Sequence, residues 1–300
     1  MKLIRDLSNV PASAKGAVLA LGNFDGLHLG HRAILQETLQ RAKKAGRPAA
    51  VMTFEPHPRE FFRPDAPKLR LMRLREKIEG LRAMGFSTLF MPHFNAALAA
   101  TSAADFVSRW LSGTLAVQEI ITGDDFCFGK GRSGNRAFLT ESAGRYGFLY
   151  HAIAPVCSDA GVISSTAVRT LLAEGNVAAA SALLGRPYSV CGHVIHGDKR
   201  GRQLGFPTAN IPLARLFVPR AGVYAVAAGA HKGVANIGLR PTFGGTKPQA
   251  EIHLFDFSGD LYGQYLRVEL QAFLRDEQRF ESLEQLKQHI AQDCERAKAL

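Results

Sequence analysis

Two histidines three residues apart, His28 and His31, mark the first stretch of the sequence that could do chemistry. They lie in the string LGNFDGLHLGH, where Gly22 and Gly26 permit a tight turn close to a ligand. An apolar run precedes the string and an amphipathic helical pattern follows it, so the histidines share one face of a helix start. Helix N-termini attract anions, and imidazoles can donate hydrogen bonds to phosphate oxygens. The string therefore predicts chemistry at the phosphorus atoms of a nucleotide.

A second group of polar side chains accompanies the histidine pair far downstream. Ser164, Ser165 and Thr166 precede Arg169 in another helical pattern, and the serines suit its N-cap. Two histidines at this spacing alone could equally be ordinary first-turn residues. Hydroxyls and a guanidinium at a second helix start are further donors for phosphate oxygens, so the combination favours a phosphate site.

The string GDKRGRQLGFPTAN, which starts at Gly197, is the distinctive stretch of the second half. Gly197 and Gly205 permit a flap over phosphates, and Lys199 with the arginines beside it could neutralise their charge. Thr208 and Asn210 offer the oxygen donors that Mg²⁺ prefers. The string does not match the P-loop pattern, and a basic surface hairpin is the alternative interpretation.

A carboxylate could serve as the base if the second half transfers a phosphoryl group to an alcohol. The candidates near the ends of predicted strands are Glu251, Asp256 and Asp260. Glu251 lies in the alternating string QAEIHL, where a solvent-facing strand residue is the alternative role. The periodicity leaves both roles of Glu251 open.

Strands alternate with helices in the first half of the sequence. The predicted strands are 17–21, 49–54, 87–91, 119–122 and 148–153, and the predicted helices are 31–45, 74–84 and 103–111. This alternation is typical of a parallel, doubly wound sheet, whose strands end at one edge where ligands bind. The histidine turn, residues 53–58 and residues 123–126 all follow predicted strands, so we expect them to share one cleft.

Strands and turns replace this alternation after a short helix that ends near Leu184, so we place a domain boundary between residues 185 and 186. The predicted strands are 188–195, 222–228, 233–237, 250–257 and 265–273. Consecutive strands without helices indicate an antiparallel sheet or a small closed barrel. A last helix from Leu283 to about Ala297 is expected to bury an apolar stripe. The stripe consists of Leu283, Leu286, Ile290 and Ala291.

Composition narrows the function classes. The 300 residues are 46% hydrophobic and carry a formal net charge of +11 at pH 7. No apolar run reaches membrane-spanning length and the start lacks a signal-peptide core, so we expect a soluble, cytoplasmic protein. The positive charge is scattered, which favours small anionic ligands over nucleic acid or a membrane surface. The four cysteines are widely spaced, and we expect each to be a small buried side chain.

Several long motifs carry a family resemblance. The strings GNFDGLHLGH, TFEPHP, GDDFCFGKGRSG and ISSTAVRTLLAEG resemble an FAD synthetase domain, and GFPTANI, GVYAV, VANIGLRPTF and EIHLFDFSGDLYG resemble a riboflavin kinase domain. In this order, and over nearly the whole chain, the sequence resembles the bacterial bifunctional riboflavin kinase/FAD synthetase family. The resemblance implies a Rossmann-like α/β nucleotidylyltransferase domain over residues 1–185. It implies a six-stranded all-β flavokinase barrel with a C-terminal helix over residues 186–300.

The resemblance also implies two reactions. Riboflavin would be phosphorylated by ATP to FMN, and FMN would be adenylylated by a second ATP to FAD with release of pyrophosphate, with Mg²⁺ required. The implied site residues are His28, His31, Arg169 and Glu251 as catalytic groups; Gly22, Phe24, Asp25, Gly26, Ser164, Ser165, Thr166, Gly197, Lys199, Gly205 and Thr208 as nucleotide contacts; Phe62, Asp125, Phe126 and Phe128 as flavin contacts; and Thr208 and Asn210 as metal ligands. Some family members carry asparagine where this chain has Asp125, which leaves the role of Asp125 open.

Two other functions remain as alternatives. The first half alone would also suit an adenylyl- or cytidylyltransferase for a non-flavin phosphate, with the barrel as a substrate-binding module. The GFPTAN string with a downstream Glu251 speaks against it. A basic RNA-binding protein with a degenerate enzyme fold is the other alternative, and the scattered charge speaks against that. We expect small-molecule partners only, and a monomer or a weakly associating homo-oligomer.

Overall fold

The computed structural model describes residues 1–159, 161–197, 205–242 and 245–300. The chain forms two compact units, which are Met1–Ala66 with Leu74–Ile163, and Pro67–Arg73 with Ser164–Leu300. Each unit is built around its own six-stranded sheet. No helix in the described ranges is long and apolar enough to cross a membrane.

The first unit contains a parallel sheet with helices between its strands. The strands are β1 (Lys2–Ile4), β2 (Val18–Leu21), β3 (Ala49–Met52), β4 (Thr88–Phe90), β5 (Glu119–Gly123) and β6 (Leu149–Ile153). The helices are α1 (Leu29–Ala45), α2 (Pro58–Phe62), α3 (Leu74–Ala83), α4 (Ala96–Ala100), α5 (Ala103–Asp105), which continues as a π-helix over Phe106–Thr114, and α6 (Arg136–Tyr146). The strand order β1-β4-β3-β2-β5-β6 confirms the predicted doubly wound α/β fold.

Burial explains which strands the sequence predicted. All four residues of β2 are at most 1% exposed, as expected for a central parallel strand covered on both faces. The edge strand β1 was not predicted because it is three residues long and only Ile4 is buried. A short antiparallel hairpin, β7 (Cys157–Ser158) and β8 (Gly161–Val162), lies near the end of this unit.

The second unit begins with two helices and continues as an antiparallel sheet. Its helices are α7 (Ser165–Ala173), α8 (Val177–Leu184) and α9 (Leu283–Lys298). Its strands are β9 (Ser189–His193), β10 (Ala209–Pro212), β11 (Gly222–Ala228), β12 (His231–Thr242), β13 (Gly245–Leu254) and β14 (Tyr265–Arg275). The strand order is β10-β13-β12-β11-β14-β9, and a bridge between Ile195 and Asn210 joins the two ends. The predicted six-stranded, nearly closed barrel with a C-terminal helix is therefore confirmed.

The strand β10 was not among the predicted strands, and it begins at the last two residues of the string GDKRGRQLGFPTAN. It is only four residues long and ends in Pro212, so it carries little of the alternation that marks a strand. The pairing of Ala209 with Ile252 and of Ile211 with Ala250 places it firmly in the sheet.

The predicted apolar stripe of the last helix is wrong at both ends. Leu283 is 68% exposed and Ala291 is exposed, whereas α9 buries Cys294 and Ala297 against the outer face of the barrel. Asp293 is 3% exposed because Arg275 of β14 donates to both of its carboxylate oxygens. This buried ion pair fixes the rotation of the helix, which an apolar pattern does not encode.

The expectation that all four cysteines are buried is also only half right. Cys191 and Cys294 are buried, but Cys127 is partly exposed and Cys157 is exposed on the β7–β8 hairpin. These two thiols lie in a turn and a two-residue strand, which bury little apolar area.

Candidate active sites

The first candidate site is the turn between β2 and α1, where His28 is the N-cap of the helix. The backbone N–H of His31 donates to His28 Nδ1 at 3.3 Å. Because Nδ1 accepts this bond, the proton of the neutral His28 ring lies on Nε2, which can then donate to a ligand. The His28 side chain is otherwise enclosed, since the residue is only 5% exposed.

The structure brings the two predicted histidines together. Their rings stack with centroids 3.6 Å apart and an interplanar angle of 22°. Gly30 makes room for this arrangement, because a Cβ there would lie 3.2 Å from His28 Cε1 and 3.2 Å from the carbonyl oxygen of Ile163. The edge of Phe24 packs on His31 with a centroid distance of 5.4 Å.

The backbone before His28 is unusual. Phe24 and Leu27 both have positive φ angles, 50° and 48°, which non-glycine residues rarely adopt, and Gly26 has a φ of 86°. The Phe24 ring is 1% exposed, so any nucleotide contact at this residue would come from its backbone. Asp25 lies at the centre of the turn and is 5% exposed.

Two of the predicted strand ends meet at this turn. Thr53, which follows β3, donates from Oγ1 to the carbonyl oxygen of Asn23 at 3.2 Å, and the Gly22 N–H donates to Met52 O at 3.1 Å. At the third predicted strand end, after β5, the Asp125 carboxylate lies close to Gly123. A Cβ at Gly123 would be 3.1 Å from Asp125 Oδ1.

The downstream hydroxyl group lies at a helix start, as the sequence predicted. Ser164 caps α7, since its Oγ accepts from the Ala167 N–H at 3.1 Å, and Ser165 opens the helix. Arg169 lies one turn later, and its Nε donates to the carbonyl oxygen of Leu69 at 2.6 Å. Arg169 therefore anchors the segment Pro67–Arg73 within the second compact unit, a structural role that the sequence did not reveal.

The predicted flavin contacts lie at the two ends of a run of phenylalanines in the first unit. Phe62 is 63% exposed and packs against Phe94 with a centroid distance of 5.8 Å. At the other end, Phe126 stacks on the buried Phe128 at 5.8 Å and 15°. Phe54 and Phe106 connect the two ends. The exposed ring of Phe62 and the half-buried ring of Phe126 are the members that a planar ligand could reach.

The second candidate site is on the outer face of the barrel, where Asn210 of β10 pairs directly with Glu251 of β13. Arg240 Nε lies 2.7 Å from Glu251 Oε1, and Gln249 Nε2 donates to Asn210 Oδ1 at 2.6 Å. A Cβ at Gly197 would lie 2.5 Å from Asn210 Nδ2, so a larger residue there would displace the Asn210 carboxamide. The site thus combines a carboxylate, a guanidinium and two carboxamides.

Two further polar side chains of this face, Asn236 and Glu277, were not among the predicted site residues. Asn236 of β12 pairs with Glu251 on the other side, and its Nδ2 donates to Glu277 Oε1 at 3.0 Å. The Glu277 carboxylate lies directly over Gly238, where a Cβ would be 2.1 Å from Oε1. Asn236, Gly238 and Arg240 alternate in the string VANIGLRPTF, and this period of two was the available signal.

A cleft of about 340 Å³ is lined in part by Asn210. Thr208, Asn210 and Asp260 are among its polar lining residues, and Tyr262, which also lines it, packs on His196 with a centroid distance of 3.9 Å. The hydroxyl and carboxamide oxygens of Thr208 and Asn210 suit Mg²⁺, which binds few protein ligands and takes the rest from water and phosphate. Among the predicted nucleotide contacts, Gly205 has a φ of +89°. Lys199 lies outside the described residues.

Comparison with known proteins identifies a family for each half of the chain. The family model of the FAD synthetase matches residues 10–167, and the family model of the riboflavin kinase matches residues 184–300. The bifunctional riboflavin kinase/FMN adenylyltransferase of Escherichia coli K12 is 46% identical over 299 residues, which cover 98% of this chain and 96% of that protein. The chain belongs to this family.

Other members of the bifunctional riboflavin kinase/FMN adenylyltransferase family align over similar lengths. The Haemophilus influenzae protein is 43% identical and covers 100% of this chain and 99% of its own, and the Bacillus subtilis protein is 38% identical and covers 94% and 91%. A crystal structure titled as a macrolide-efflux protein from Streptococcus pneumoniae has a TM-score of 0.87 and 30% identity, and covers 100% of this chain and 99% of its own. The order of the two domains in the family is the order of the two sheets here.

Proposed function

We propose that this chain makes FMN from riboflavin at the barrel site and FAD from FMN at the histidine turn, using ATP in both reactions. The observation that carries this proposal is that each unit holds a polar site suited to phosphate chemistry of a different kind. One site has a carboxylate beside carboxamides, and the other has stacked imidazoles at a helix N-terminus. Riboflavin, FMN and ATP are the substrates of the family's two activities.

The barrel site supplies a base for the kinase reaction. The 5′-hydroxyl of riboflavin attacks the γ-phosphorus of ATP, its proton passes to Glu251, and ADP leaves. Arg240 orients the Glu251 carboxylate through Oε1. Thr208 and Asn210 would hold Mg²⁺, which would neutralise charge on the phosphates of ATP. We assign Gly197, Lys199 and Gly205 to the same nucleotide.

The histidine turn needs no general base. The phosphate of FMN is already anionic at neutral pH and attacks the α-phosphorus of ATP, with pyrophosphate as the leaving group. The site has to position two anions and stabilise the charge that develops on the leaving group. His28 donates from Nε2, because its Nδ1 accepts the capping bond of α1. We assign His31 and the backbone of Gly22, Phe24, Asp25 and Gly26 to the same phosphates, together with Ser164, Ser165, Thr166 and Arg169.

The flavin of the second reaction is assigned to the exposed ends of the phenylalanine run. Phe62 and Phe126 present accessible rings, Phe128 supports Phe126 from below, and Asp125 lies one residue before it. An isoalloxazine ring prefers such aromatic surfaces, since offset stacking adds to the burial of apolar area.

We further propose that the functional domains are residues 1–185 and 186–300. The proposed partners are small molecules, with no nucleic acid partner, and the protein is proposed to act in the cytoplasm as a monomer or a weakly associating homo-oligomer. A basic net charge of +11 without a clustered stripe suits anionic substrates such as ATP and FMN.

A product assay tests the proposed function. The purified chain is incubated with riboflavin, ATP and Mg²⁺, and the flavins are separated by chromatography over time; a parallel sample contains a chelator. We expect FMN first and FAD later, and neither in the chelated sample. FMN alone would mean that the first unit is inactive or adenylylates another phosphate. Neither product from a folded sample would overturn both assignments.

A further inference from the structure

Helix α3 contacts the histidine turn through a buried lysine. Lys77 is 7% exposed, and its Nζ donates to the carbonyl oxygen of Asn23 at 2.7 Å. The same carbonyl accepts from Thr53 Oγ1, so Asn23 is held from two elements at once. Buried ammonium groups are rare because desolvation disfavours them. The burial of Lys77 against the turn that carries His28 therefore suggests a specific role for this side chain.

The same face of α3 also shapes the other end of the turn. Gly80 is three residues after Lys77 and therefore lies beside it on the helix surface. A Cβ at Gly80 would be 2.6 Å from Leu27 Cδ1, so the absence of a side chain there makes room for Leu27, which is 5% exposed. Lys77 and Gly80 thus hold the residues at the two ends of the turn that immediately precedes His28.

This double contact explains how the strained turn persists. Phe24 and Leu27 both occupy the left-handed region, which is sterically unfavourable for residues other than glycine. Such a conformation survives only where surrounding structure determines it. The hydrogen bonds to the Asn23 carbonyl fix the backbone just before Phe24. The packing of Leu27 against Gly80 fixes the backbone just before the N-cap, His28.

We propose that Lys77 is a positioning residue for FMN adenylylation, which acts by holding the turn that presents His28 to the phosphates. The inference rests on the assignment of that reaction to the histidine turn. Lys77 is not required for the kinase reaction, whose groups lie in the other unit. A misplacement of reacting groups by about 1 Å can cost on the order of a hundredfold in rate, so the effect falls on kcat more than on KM.

The test compares three variants of the full-length chain in both reactions. Lys77→Met is expected to lower kcat for FAD formation from FMN by about 10- to 100-fold and to change KM for FMN by less than about threefold. Lys77→Arg keeps a donor and is expected to retain most of the activity. Lys43→Met on the exposed end of α1 is the matched control and should match the unmodified chain. FMN formation should be unchanged in all three.

Gly80→Ala provides a second approach that removes no charge. It should lower FAD formation through displacement of Leu27 and leave FMN formation unchanged. The inference is overturned if Lys77→Met forms FAD at the normal rate, if Lys77→Arg loses as much as Lys77→Met, or if both reactions fall together. If the unmodified chain forms no FAD, the proposed function fails instead, so the two failures are distinguishable.

Discussion

Asn210 and Glu251 lie directly opposite each other on neighbouring antiparallel strands, so the proposed metal ligand and the proposed base project from one face of the barrel. Asn236 pairs with Glu251 on the other side, so three strands contribute to one polar row. Paired side chains in such a ladder have Cβ atoms about 5 Å apart, which is the scale of a phosphoryl group and its bound cation. The register of these three strands therefore brings the residues of the proposed kinase site together.

Replacing the base should separate the two reactions. Glu251→Gln keeps the size of the side chain and its place opposite Asn210, but it cannot accept the proton of the riboflavin hydroxyl. We expect FMN formation to fall by roughly a hundredfold or more, while FAD formation from supplied FMN stays normal. Steady-state rates with each flavin measure this. Glu269→Gln on β14 is the control, and equal loss in both reactions would contradict two separate sites.

The opposite separation is expected at the histidine turn. His28→Ala removes the Nε2 donor and should lower FAD formation by about a hundredfold, as for loss of one preorganised donor, with normal FMN formation. It also removes the N-cap of α1, at about 1 kcal/mol of stability.

His28→Asn distinguishes the two roles of the histidine. Asparagine is a good N-cap, so the melting temperature should return toward that of the unmodified chain, whereas FAD formation should stay low. Recovery of activity together with stability would show that His28 acts only as a cap.

The close approach of Glu277 to Gly238 makes a steric prediction. A Cβ at Gly238 would lie 2.1 Å from Glu277 Oε1, so Gly238→Ala must displace the carboxylate from Asn236. We expect about a tenfold lower rate of FMN formation, by misplacement within the polar row. Gly144→Ala is the matched control, because no described atom lies within 4 Å of a Cβ there. Unchanged FMN formation in Gly238→Ala would show that Glu277 does not support the site.

The buried thiol of α9 predicts a pH dependence of stability. Burial raises the pKa of Cys294 from an ordinary value of 9.0 to about 11. The folded state therefore favours the neutral thiol. This contribution to stability is fully present below pH 9 and is lost as the pH rises through about 11.

Urea unfolding at pH 8 and at pH 10.5 measures this contribution. Cys294→Ala should show a smaller loss of unfolding free energy between the two pH values than the unmodified chain. Alkylation in the native state should modify the exposed Cys157 long before Cys294, because a buried neutral thiol is a poor nucleophile. An identical pH dependence in both proteins would contradict the assignment.

Local sequence patterns determined many of the secondary-structure elements and both fold classes of this protein. The apolar run of β2, the glycines of the turn and the serine cap of α7 are signals read within a few residues, and each one agrees with the structure. The alternation of strands and helices, followed by strands alone, gave both fold classes, because the period of burial differs between a helix and a strand. The motifs were long enough to indicate the family.

The tertiary structure decided what depends on contacts between distant residues. The strand β10 exists because Ala209 and Ile211 find partners on β13, although four residues ending in proline carry little signal of their own. The rotation of α9 follows from the pairing of Asp293 with Arg275, and the support of the histidine turn follows from Lys77, which is 54 residues beyond Asn23 in the chain. A sequence pattern indicates which side chains favour burial. Only the folded chain brings together the distant partners that offset the free-energy cost of burying a charge or of straining a turn.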